Sequence, residues 1–245
     1  MADFDFDQVF GDDYLYFYEA LLTEERSQQE ADLIIRLLDL QQGMRILDIP
    51  CGHGRIASRL AEFGCKVVGV DSNASFLAVA RGAGQPVDYR EADMRHFAAN
   101  AEFDVVVNWF TSFGYFDDVT DRAILAGWRR ALKPGGKLVI DHQNAQRLVG
   151  RIDASGGPAI VLTERGDDLL IDRTSVDVTS GRTHTERISV RRGVVHRYNF
   201  SVRMFAFTEL RDWLLEAGFA EVSGYGTDGE ALELTSRRMV VVASA

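Results

Sequence analysis

A glycine loop near residue 50 is the first segment of the sequence whose residue types could hold a ligand. Residues 45–49 are mostly apolar and contain Asp48, and Cys51, Gly52 and Gly54 follow soon after them. Glycine lets a ligand approach the main chain closely, and free N–H groups at the start of a helix can bind its polar atoms. We therefore predict a small-molecule site that includes Asp48, Cys51, Gly52 and Gly54.

The carboxylate of Asp48 helps to separate two classes of ligand. Residues 52–57 fit the loose dinucleotide pattern G-x-G-x-x-G/A, and Asp71 ends the next predicted strand, where an acidic residue takes ribose hydroxyls. A carboxylate at the position of Asp48 would, however, face a pyrophosphate with like charge. A cationic ligand suits Asp48 better. For Asp71, capping the following helix is the alternative role.

Two polar residues follow the fifth predicted strand, at the edge where open α/β sheets bind ligands. His142 is a candidate general base, because an ordinary histidine pKa of about 6.5 suits proton removal at neutral pH. Asn144 lies two residues further on and is a candidate for orienting a substrate by hydrogen bonding. A structural role is the alternative for each.

Aromatic residues cluster at positions 14–18 and 110–116. Their rings can surround a cation through cation–π contacts, so we place Tyr16 among the catalytic residues and Tyr18 among the cofactor-binding ones. Tyr14 and Tyr18 are also spaced as two side chains on one helix face. Packing on the core is therefore the alternative for this cluster.

Strand-length apolar segments alternate with helix-like segments from residue 44 to 142, which predicts a parallel sheet covered by helices. The five predicted strands are residues 44–49, 66–70, 87–90, 104–108 and 137–141. Residues 27–30 have the pattern of a capping box that opens a helix, and residues 1–43 are interpreted as a helical lid. Thr208 is predicted to cap a helix before two closing strands, so we expect one domain over residues 1–245.

Residues 145–205 change character and predict an antiparallel β meander inserted in this domain. Ten arginines against seven acidic residues make the insertion positive. Arginines such as Arg187, Arg197 and Arg203 have two interpretations. They select an anionic group of the substrate, or they guard exposed strand edges against aggregation, which we favour.

Composition excludes several classes of protein. With 46% hydrophobic and 26% charged residues the chain is ordinary for a globular protein, and no apolar run approaches the roughly 20 residues of a membrane span. A net charge of −10 opposes binding to nucleic acid. The acidic first residues do not look like a secretory signal, so we expect a cytoplasmic protein. No histidine or cysteine pair has metal-ligand spacing, so we predict no metal.

Five segments, in order, resemble the class I S-adenosylmethionine-dependent methyltransferases. They are LDIPCGHG (47–54), VGVD (68–71), EADM (91–94), FDVVVN (103–108) and LKPGGKL (132–138). The resemblance implies an α/β fold, a Rossmann-like doubly wound sheet of seven strands whose last strand is antiparallel. With it we expect the antiparallel insertion at 145–205 to lie over the substrate site.

The resemblance also implies roles for individual residues. The carboxylate of Asp71 would bind the ribose diol of S-adenosylmethionine, Asp93 would meet the adenine amino group, and Met94 would pack by the ring. Asn108, at the end of its motif, joins the cofactor-binding set. Arg26 would pair with the carboxylate of the donor, as basic residues of amino-terminal helices do in some relatives, unless it is a solvated surface arginine.

The predicted activity is methyl transfer from S-adenosylmethionine to a small-molecule acceptor, leaving S-adenosylhomocysteine. Residues 108–111 lack the two prolines typical of methylases that act on exocyclic amines of nucleic acid, which favours a metabolite. N-methylation is favoured over O-methylation. The alternatives are an NAD(P)-dependent oxidoreductase and a non-catalytic S-adenosylmethionine-binding module. The sequence leaves the oligomeric state open, with a homodimer as one option.

Thermal protection distinguishes the two cofactors. Because a ligand stabilises the state that binds it, S-adenosylmethionine or S-adenosylhomocysteine should raise the Tm, and NADH should not. Differential scanning fluorimetry with each ligand measures this. Protection by NADH alone would contradict the assignment.

Overall fold

The computed structural model describes residues 6–245, apart from the side chains of residues 7 and 153–155. The helices are α1 (Phe6–Val9), α2 (Asp12–Tyr18), α3 (Glu24–Leu38), α4 (Arg55–Phe63), α5 (Ala74–Gly82), α6 (Asp118–Ala131), α7 (Ala145–Ser155) and α8 (Phe207–Glu216). The strands are β1 (Arg45–Asp48), β2 (Lys66–Asp71), β3 (Asp88–Glu91), β4 (Phe103–Asn108), β5 (Leu132–Gln143), β6 (Ala159–Arg165), β7 (Asp168–Asp177), β8 (Arg182–Arg191), β9 (Val194–Arg203), β10 (Glu221–Tyr225) and β11 (Arg238–Ser244). They form two compact units.

The larger unit, Glu24–Asn144 with Phe205–Ala245, contains a seven-stranded sheet. The strand order is β10-β11-β5-β4-β1-β2-β3. The last strand, β11, runs antiparallel to both of its neighbours, whereas β5, β4, β1, β2 and β3 pair in parallel. The predicted fold class is confirmed.

Alternate residues of the central strands face two different helix layers, because successive side chains of a strand point to opposite faces. Ile46 packs with residues of α3 and α4, and the next residue, Leu47, packs with residues of α6 and α8. β3 carries the sequence Asp-Tyr-Arg-Glu and is the polar edge of the sheet. Charged side chains suit an edge, since they discourage pairing with another chain.

Three predicted element boundaries are wrong. α3 begins at Glu24, so Ser27 lies inside the helix and does not open it, and α8 begins at Phe207, one residue before the predicted cap Thr208. Residues 145–155, the first part of the predicted antiparallel β insertion, form a helix. Helix ends are weakly specified by local sequence, because several residues near an end can satisfy the same N–H groups.

The smaller unit combines Met1–Thr23, of which residues 6–23 are described, with Ala145–Met204. Its four-stranded antiparallel sheet has the order β6-β7-β8-β9, as the meander predicted. The sequence did not indicate that the amino-terminal helices belong with the insertion. A single domain over 1–245, a lid over 1–43 and an insertion that lies over the substrate site stay predictions, and residues 1–5 of that lid lie outside the described residues.

Gly54 starts α4 with a positive φ of 81°. A Cβ on this residue would lie 2.3 Å from Oη of Tyr89 and 2.9 Å from Cβ of Ala80. Gly84 has a similar φ of 72°, but nothing lies within 4 Å of a Cβ there. The glycine at position 54 therefore serves both the backbone conformation and the close packing behind the loop.

These two glycines allow crowding to be separated from backbone strain. Gly84→Ala should lower the free energy of unfolding by about 1–2 kcal/mol, the cost of a left-handed residue with a side chain. Gly54→Ala should cost roughly 1–3 kcal/mol more, because its methyl group must displace neighbours. Urea unfolding of both variants measures the difference. Equal losses would contradict the packing role.

Candidate functional site

The glycine loop is fastened by Asp71 at the end of β2. One carboxylate oxygen of Asp71 accepts from the N–H of Gly52 at 2.7 Å, and the other accepts from the N–H of Asn73 at 2.8 Å. Asn73, not Asp71, is the cap of α5, since its side chain accepts from the N–H of Phe76 at 3.0 Å. Asp71 is thus buried beside the loop, with the capping role taken by another residue.

Asp48 lies at the end of β1 and is buried. Its Oδ2 is without a hydrogen-bond partner among the described residues. Burial raises the pKa of this carboxyl to about 8; Arg55 opposes the shift and Asp71 adds to it. A cation placed beside this buried carboxyl would stabilise its ionised form.

Asn108 ends β4, the strand next to β1. Its Nδ2 donates to the carbonyl of Ile49 at 2.8 Å, and the residue is fully buried. Its Oδ1 has no partner within the described part of the chain. Asp48 and Asn108 therefore leave two buried oxygen atoms unpaired at the carboxyl ends of neighbouring strands.

Cys51 belongs to the same loop as a neutral thiol. It is buried, and burial, with Asp48 and Asp71 nearby, raises the pKa of its thiol. Both cysteines of the chain are free. Cys51 thus lines the loop without being a nucleophile at neutral pH.

Asp93 follows β3 and is held by its neighbour Arg95. The Nε of Arg95 donates to Oδ2 of Asp93 at 2.9 Å, and the main-chain N–H of Arg95 donates to Oδ1 at 2.8 Å. Burial raises the pKa of this carboxyl, but the hydrogen bonds from Arg95 outweigh it and hold the pKa below its usual range. Met94 packs against the hydrophobic core and is partly buried.

Glu30 joins three elements through one carboxylate. It lies 2.8 Å from Nε of Arg26 and 2.6 Å from Nη1 of Arg55, the first residue of α4. It also accepts from the indole N–H of Trp109 at 2.8 Å. Although burial raises the pKa of Glu30, Arg55 and Arg26 hold it below its ordinary value. Arg26 is therefore paired with Glu30 while its side chain stays 29% exposed, and its pairing with the carboxylate of the donor stays a prediction.

The turn after β4 is strained. Phe110 and Thr111 have φ angles of 63° and 59°, a conformation that costs a residue with a side chain roughly 1–2 kcal/mol. Asp141 holds the turn, because its carboxylate accepts from the N–H of Phe110 and its carbonyl accepts from the N–H of Thr111, both at 2.9 Å. Arg238 donates to both Asp141 and Thr111 at 2.6 Å.

Three guanidinium groups surround the ring of Phe110. Arg26 and Arg55 lie 5.2 Å from the ring centroid and Arg238 lies 5.3 Å from it. Such distances permit cation–π attraction. This aromatic ring therefore contacts cations of the protein itself, in addition to any cationic ligand.

His142 is buried in the core, against Phe205. Its Nε2 lies 3.2 Å from the carbonyl of Phe113 and its Nδ1 lies 3.3 Å from the carbonyl of Gln143. Burial lowers the pKa of the ring to about 4, so it is neutral at pH 7. A neutral ring carries one N–H, so it can donate to one of these two carbonyls and hold that part of the backbone. Catalysis by His142 stays a prediction.

Asn144 is buried just beyond β5. Its Nδ2 lies 2.9 Å from the carbonyl of Ser236, 3.1 Å from that of Glu233 and 3.5 Å from that of Leu234. The amide thereby ties the segment before β11 to the end of β5. Its predicted role in orienting substrate is not tested by these contacts.

Tyr16 and Tyr18 belong to the smaller unit. The ring of Tyr16 lies between Arg165 and Arg191, whose guanidinium carbons are each 4.2 Å from its centroid. Tyr18 stacks on Tyr14 with centroids 4.2 Å apart. The two rings thus lie on one face of α2, while packing on the core and the catalytic and cofactor-binding roles of Tyr16 and Tyr18 stay predictions.

Comparison with known proteins identifies the larger unit. Residues 46–136, which contain the glycine loop, Asp71, Asp93 and Asn108, match the family model described as "Methyltransferase domain". The chain is an S-adenosylmethionine-dependent methyltransferase. The oxidoreductase alternative is therefore wrong.

Relatives of this methyltransferase act on different atoms. It is 28% identical over 233 residues to "Glycine/sarcosine N-methyltransferase" of Parasynechococcus marenigrum, covering 90% of this chain and 79% of that protein. It is 38% identical over 108 residues to "Ubiquinone biosynthesis O-methyltransferase" of Cereibacter sphaeroides, covering 42% of each. The solved CcbJ methyltransferase from Streptomyces caelestis has the same fold, with a TM-score of 0.79 at 20% identity over 96% of this chain and 97% of that one.

The residues of the methyltransferase site fit its cofactor. S-adenosylmethionine carries an ammonium, a sulfonium, hydroxyls and ring nitrogens, and the unpaired buried oxygens of Asp48 and Asn108 need donors or cations of that kind. One carboxylate oxygen of Asp71 holds the loop through the N–H of Gly52, and the other accepts from the N–H of Asn73, the cap of α5.

Sequence interpretation missed the residues that support this site, namely Glu30, Arg55, Trp109, Asp141 and Arg238. Glu30 lies in the segment predicted to be a capping box, and Asp141 ends the fifth predicted strand. The one local signal was Arg55, which directly follows the loop. The other partners are brought together only by the sheet.

Asp48→Asn should make the ligand-free protein more stable by about 2–4 kcal/mol at pH 8. Below pH 3.8 the carboxyl of Asp48 is neutral in both the folded and the unfolded state. Between pH 3.8 and its folded pKa of about 8, this carboxyl ionises only in the unfolded chain. The free energy of unfolding therefore falls as the pH rises through that range. An asparagine does not ionise, so Asp48→Asn avoids this fall in the free energy of unfolding. Its stabilising effect should therefore be smaller at pH 5 than at pH 8. Urea unfolding at both values measures it.

Asp71→Asn is the matched control, because Asp71 already accepts two N–H groups. It should destabilise the protein at both pH values. An Asp48→Asn gain that does not grow with pH would show that the buried carboxyl is not the source of the effect.

Proposed function

We propose that this enzyme methylates an amino nitrogen of a small-molecule acceptor. The observation that carries the proposal is His142, the sequence candidate for a base, whose two ring nitrogens face main-chain carbonyls. A neutral amine attacks with its own lone pair and loses its proton afterwards, whereas a hydroxyl benefits from a base during attack. The relative matched over 90% of this chain, named as an N-methyltransferase, supports the same choice.

When bound, S-adenosylmethionine supplies an electrophilic methyl group, whose bond to sulfur breaks as the acceptor nitrogen forms its bond to carbon. Asp48 then places negative charge near the ammonium and sulfonium, and Asp71 takes the ribose diol. Asp93 and Met94 hold the adenine, and Asn108 offers Oδ1 to a donor. Arg26 contributes positive charge toward the carboxylate of the donor while paired with Glu30.

O-methylation is the second candidate, because several relatives are named as ubiquinone-biosynthesis O-methyltransferases. These matches cover 42% of this chain. They therefore carry less information about the acceptor than the longer match does. A binding module without turnover is not supported, since the chain belongs to a family of enzymes.

The remaining expectations concern cellular location, partners, metal binding and oligomeric state. The described residues contain no helix that is long and apolar enough to cross a membrane. Cytoplasmic location, the lack of nucleic-acid binding, the lack of a metal and a homodimeric state stay predictions.

D-Glucosamine and D-glucose test the acceptor atom, since they differ only in an amino group against a hydroxyl. With methyl-labelled S-adenosylmethionine, the label should enter glucosamine as an N-methyl group and should not enter glucose. Glycine is a second amine probe, suggested by the name of the relative. Mass spectrometry of the products measures this.

His142→Asn should lower kcat with the amine by about tenfold or less, because the asparagine can still donate to one carbonyl and no base is lost. The pH profile should keep its shape. Labelling of glucose, or a loss near the roughly 10²–10⁴-fold typical of removing a general base, would favour O-methylation instead.

A further inference from the structure

Strand β6 is one edge of the four-stranded sheet in the smaller unit. Among the described strands it pairs with β7 alone, in an antiparallel register that runs from Ala159 opposite Thr174 to Arg165 opposite Asp168. The outer side of an edge strand presents a row of main-chain N–H and C=O groups that its own sheet does not pair. A further antiparallel strand pairs such a row completely. β6 therefore has the backbone groups needed to add a strand to this sheet.

The middle of β6 is apolar and exposed. Ile160, Val161 and Leu162 have 62%, 48% and 53% of their surface exposed. Because successive side chains of a strand point to opposite faces, the exposure of all three means that both faces of β6 are open at this point. Removing large apolar side chains from water is favourable. Contact with a partner at these three residues would therefore stabilise the protein.

The two ends of β6 are occupied by the smaller unit itself. Ala159, at the start of the strand, is buried. At its end, Arg165 donates to the main-chain carbonyl of Tyr16 and lies 2.7 Å from a carboxylate oxygen of Glu19. The arginine of β6 is thus directed to the amino-terminal segment. The stretch that remains open to a partner is residues 160–162.

This open stretch lacks the usual protection of an edge strand. Natural proteins protect exposed edges with charged side chains, proline or β-bulges. Residues 159–163 contain neither a charged residue nor a proline, and they pair with β7 without a bulge. The opposite edge, β9, carries Arg197, with 60% of its side chain exposed. The interpretation of the arginines as edge guards therefore suits β9 and does not extend to the middle of β6.

The sequence of β6 is complementary to itself about Val161. In an antiparallel pair with its two-fold axis at Val161, Ile160 lies opposite Leu162 of the partner subunit, so apolar side chains meet on both sides of the axis. An axis at Leu162 would place Ile160 opposite Glu164 of the partner subunit. An axis at Ile160 would place Leu162 opposite Pro158 of the partner subunit, which has no N–H to donate. Val161 is therefore the position of the axis that suits both the side chains and the backbone.

Charge also favours this edge for contact between two copies. The chain carries a net charge of −10, so two copies repel each other over much of their surface. Residues 159–163 are uncharged, and the insertion around them has ten arginines against seven acidic residues. The approach of a second copy is therefore opposed less at β6 than elsewhere on the chain.

We propose that β6 is a homodimer interface, at which two copies of this chain join their four-stranded sheets into one eight-stranded sheet with the two-fold axis at Val161. Such an isologous contact closes after two copies and does not continue into a fibre. Pairing along one edge buries less surface than the roughly 1,600 Å² of a standard interface, so the dimer should dissociate in the micromolar range. The inference concerns the smaller unit only and is independent of the atom that the enzyme methylates.

Sedimentation velocity of the full-length enzyme tests the interface. Between about 1 and 300 μM, a range suited to a weak interface, wild type should shift from monomer to dimer. Val161→Lys should stay monomeric over the whole range, because a lysine on an edge strand opposes pairing. Val195→Lys is the matched control, since Val195 is 56% exposed and lies on β9, the other edge. It should dimerise like wild type.

Cysteine cross-linking tests the position of the axis. Both native cysteines are buried and free, so oxidised wild type gives the background. Val161→Cys should form a disulfide between two subunits, because directly opposed residues have Cβ atoms about 4.5–5.5 Å apart, near the distance that a disulfide needs. Val195→Cys should give only the background. Thermal unfolding and the affinity for S-adenosylhomocysteine report whether each variant is folded.

A wild type that stays monomeric over this range of concentration would overturn the inference and leave the proposed N-methylation standing. A dimer that persists in Val161→Lys and is not cross-linked by Val161→Cys would place the interface elsewhere and overturn it equally. Loss of the dimer in Val195→Lys alone would assign the interface to β9 instead. If Val161→Lys is unfolded, the cross-linking of Val161→Cys against that of Val195→Cys decides the question.

Discussion

Removing a carboxylate from water costs several kcal/mol unless it is paired, hydrogen-bonded or protonated, and the larger unit removes several of them at one edge of its sheet. Asp71 is satisfied by two main-chain N–H groups, and Asp141 by Arg238 and another N–H. Glu30 is satisfied by two arginines and an indole. Of these four described carboxylates, Asp48 is the one with a buried oxygen that lacks a hydrogen-bond partner. The site is thus arranged around a buried carboxyl that a cation would complete.

The same pairing holds the turn after β4 in its strained form. Two consecutive left-handed residues, Phe110 and Thr111, persist because Asp141 and Arg238 each make more than one hydrogen bond to the segment. A strained backbone conformation persists only where several surrounding contacts together offset its cost, and such conformations are often found at functional sites. The hydrogen bonds that pair the charge of Asp141 therefore also fix the backbone of the turn.

The two units rest on different kinds of packing. The larger one buries apolar side chains on both faces of its sheet, which gives a rigid support for a loop that binds a cofactor. The smaller one buries threonine, serine and arginine side chains that bind one another.

The sequence by itself determined the parts of this protein that depend on local pattern. The alternation of strands and helices, the glycine loop and the order of the motifs follow from neighbouring residues, and both the fold class and the assignment as an S-adenosylmethionine-dependent methyltransferase are confirmed. The ends of α3 and α8 and the presence of α7 were not predictable, because several local choices there have nearly equal free energy.

Only the tertiary structure decided which charges meet. Trp109 and Glu30 are 79 positions apart, and Arg238 and Asp141 are 97 apart, so nothing in the local sequence connects either pair. The pairing depends on strand order, on the register of β5 with β11 and on the reach of long side chains. The tertiary structure also decided that the ring nitrogens of His142 lie near two main-chain carbonyls. It left Nη1 of Arg187 without a hydrogen-bond partner among the described residues. Burial sets the cost of each charge, and burial is a property of the assembled sheets rather than of any single segment.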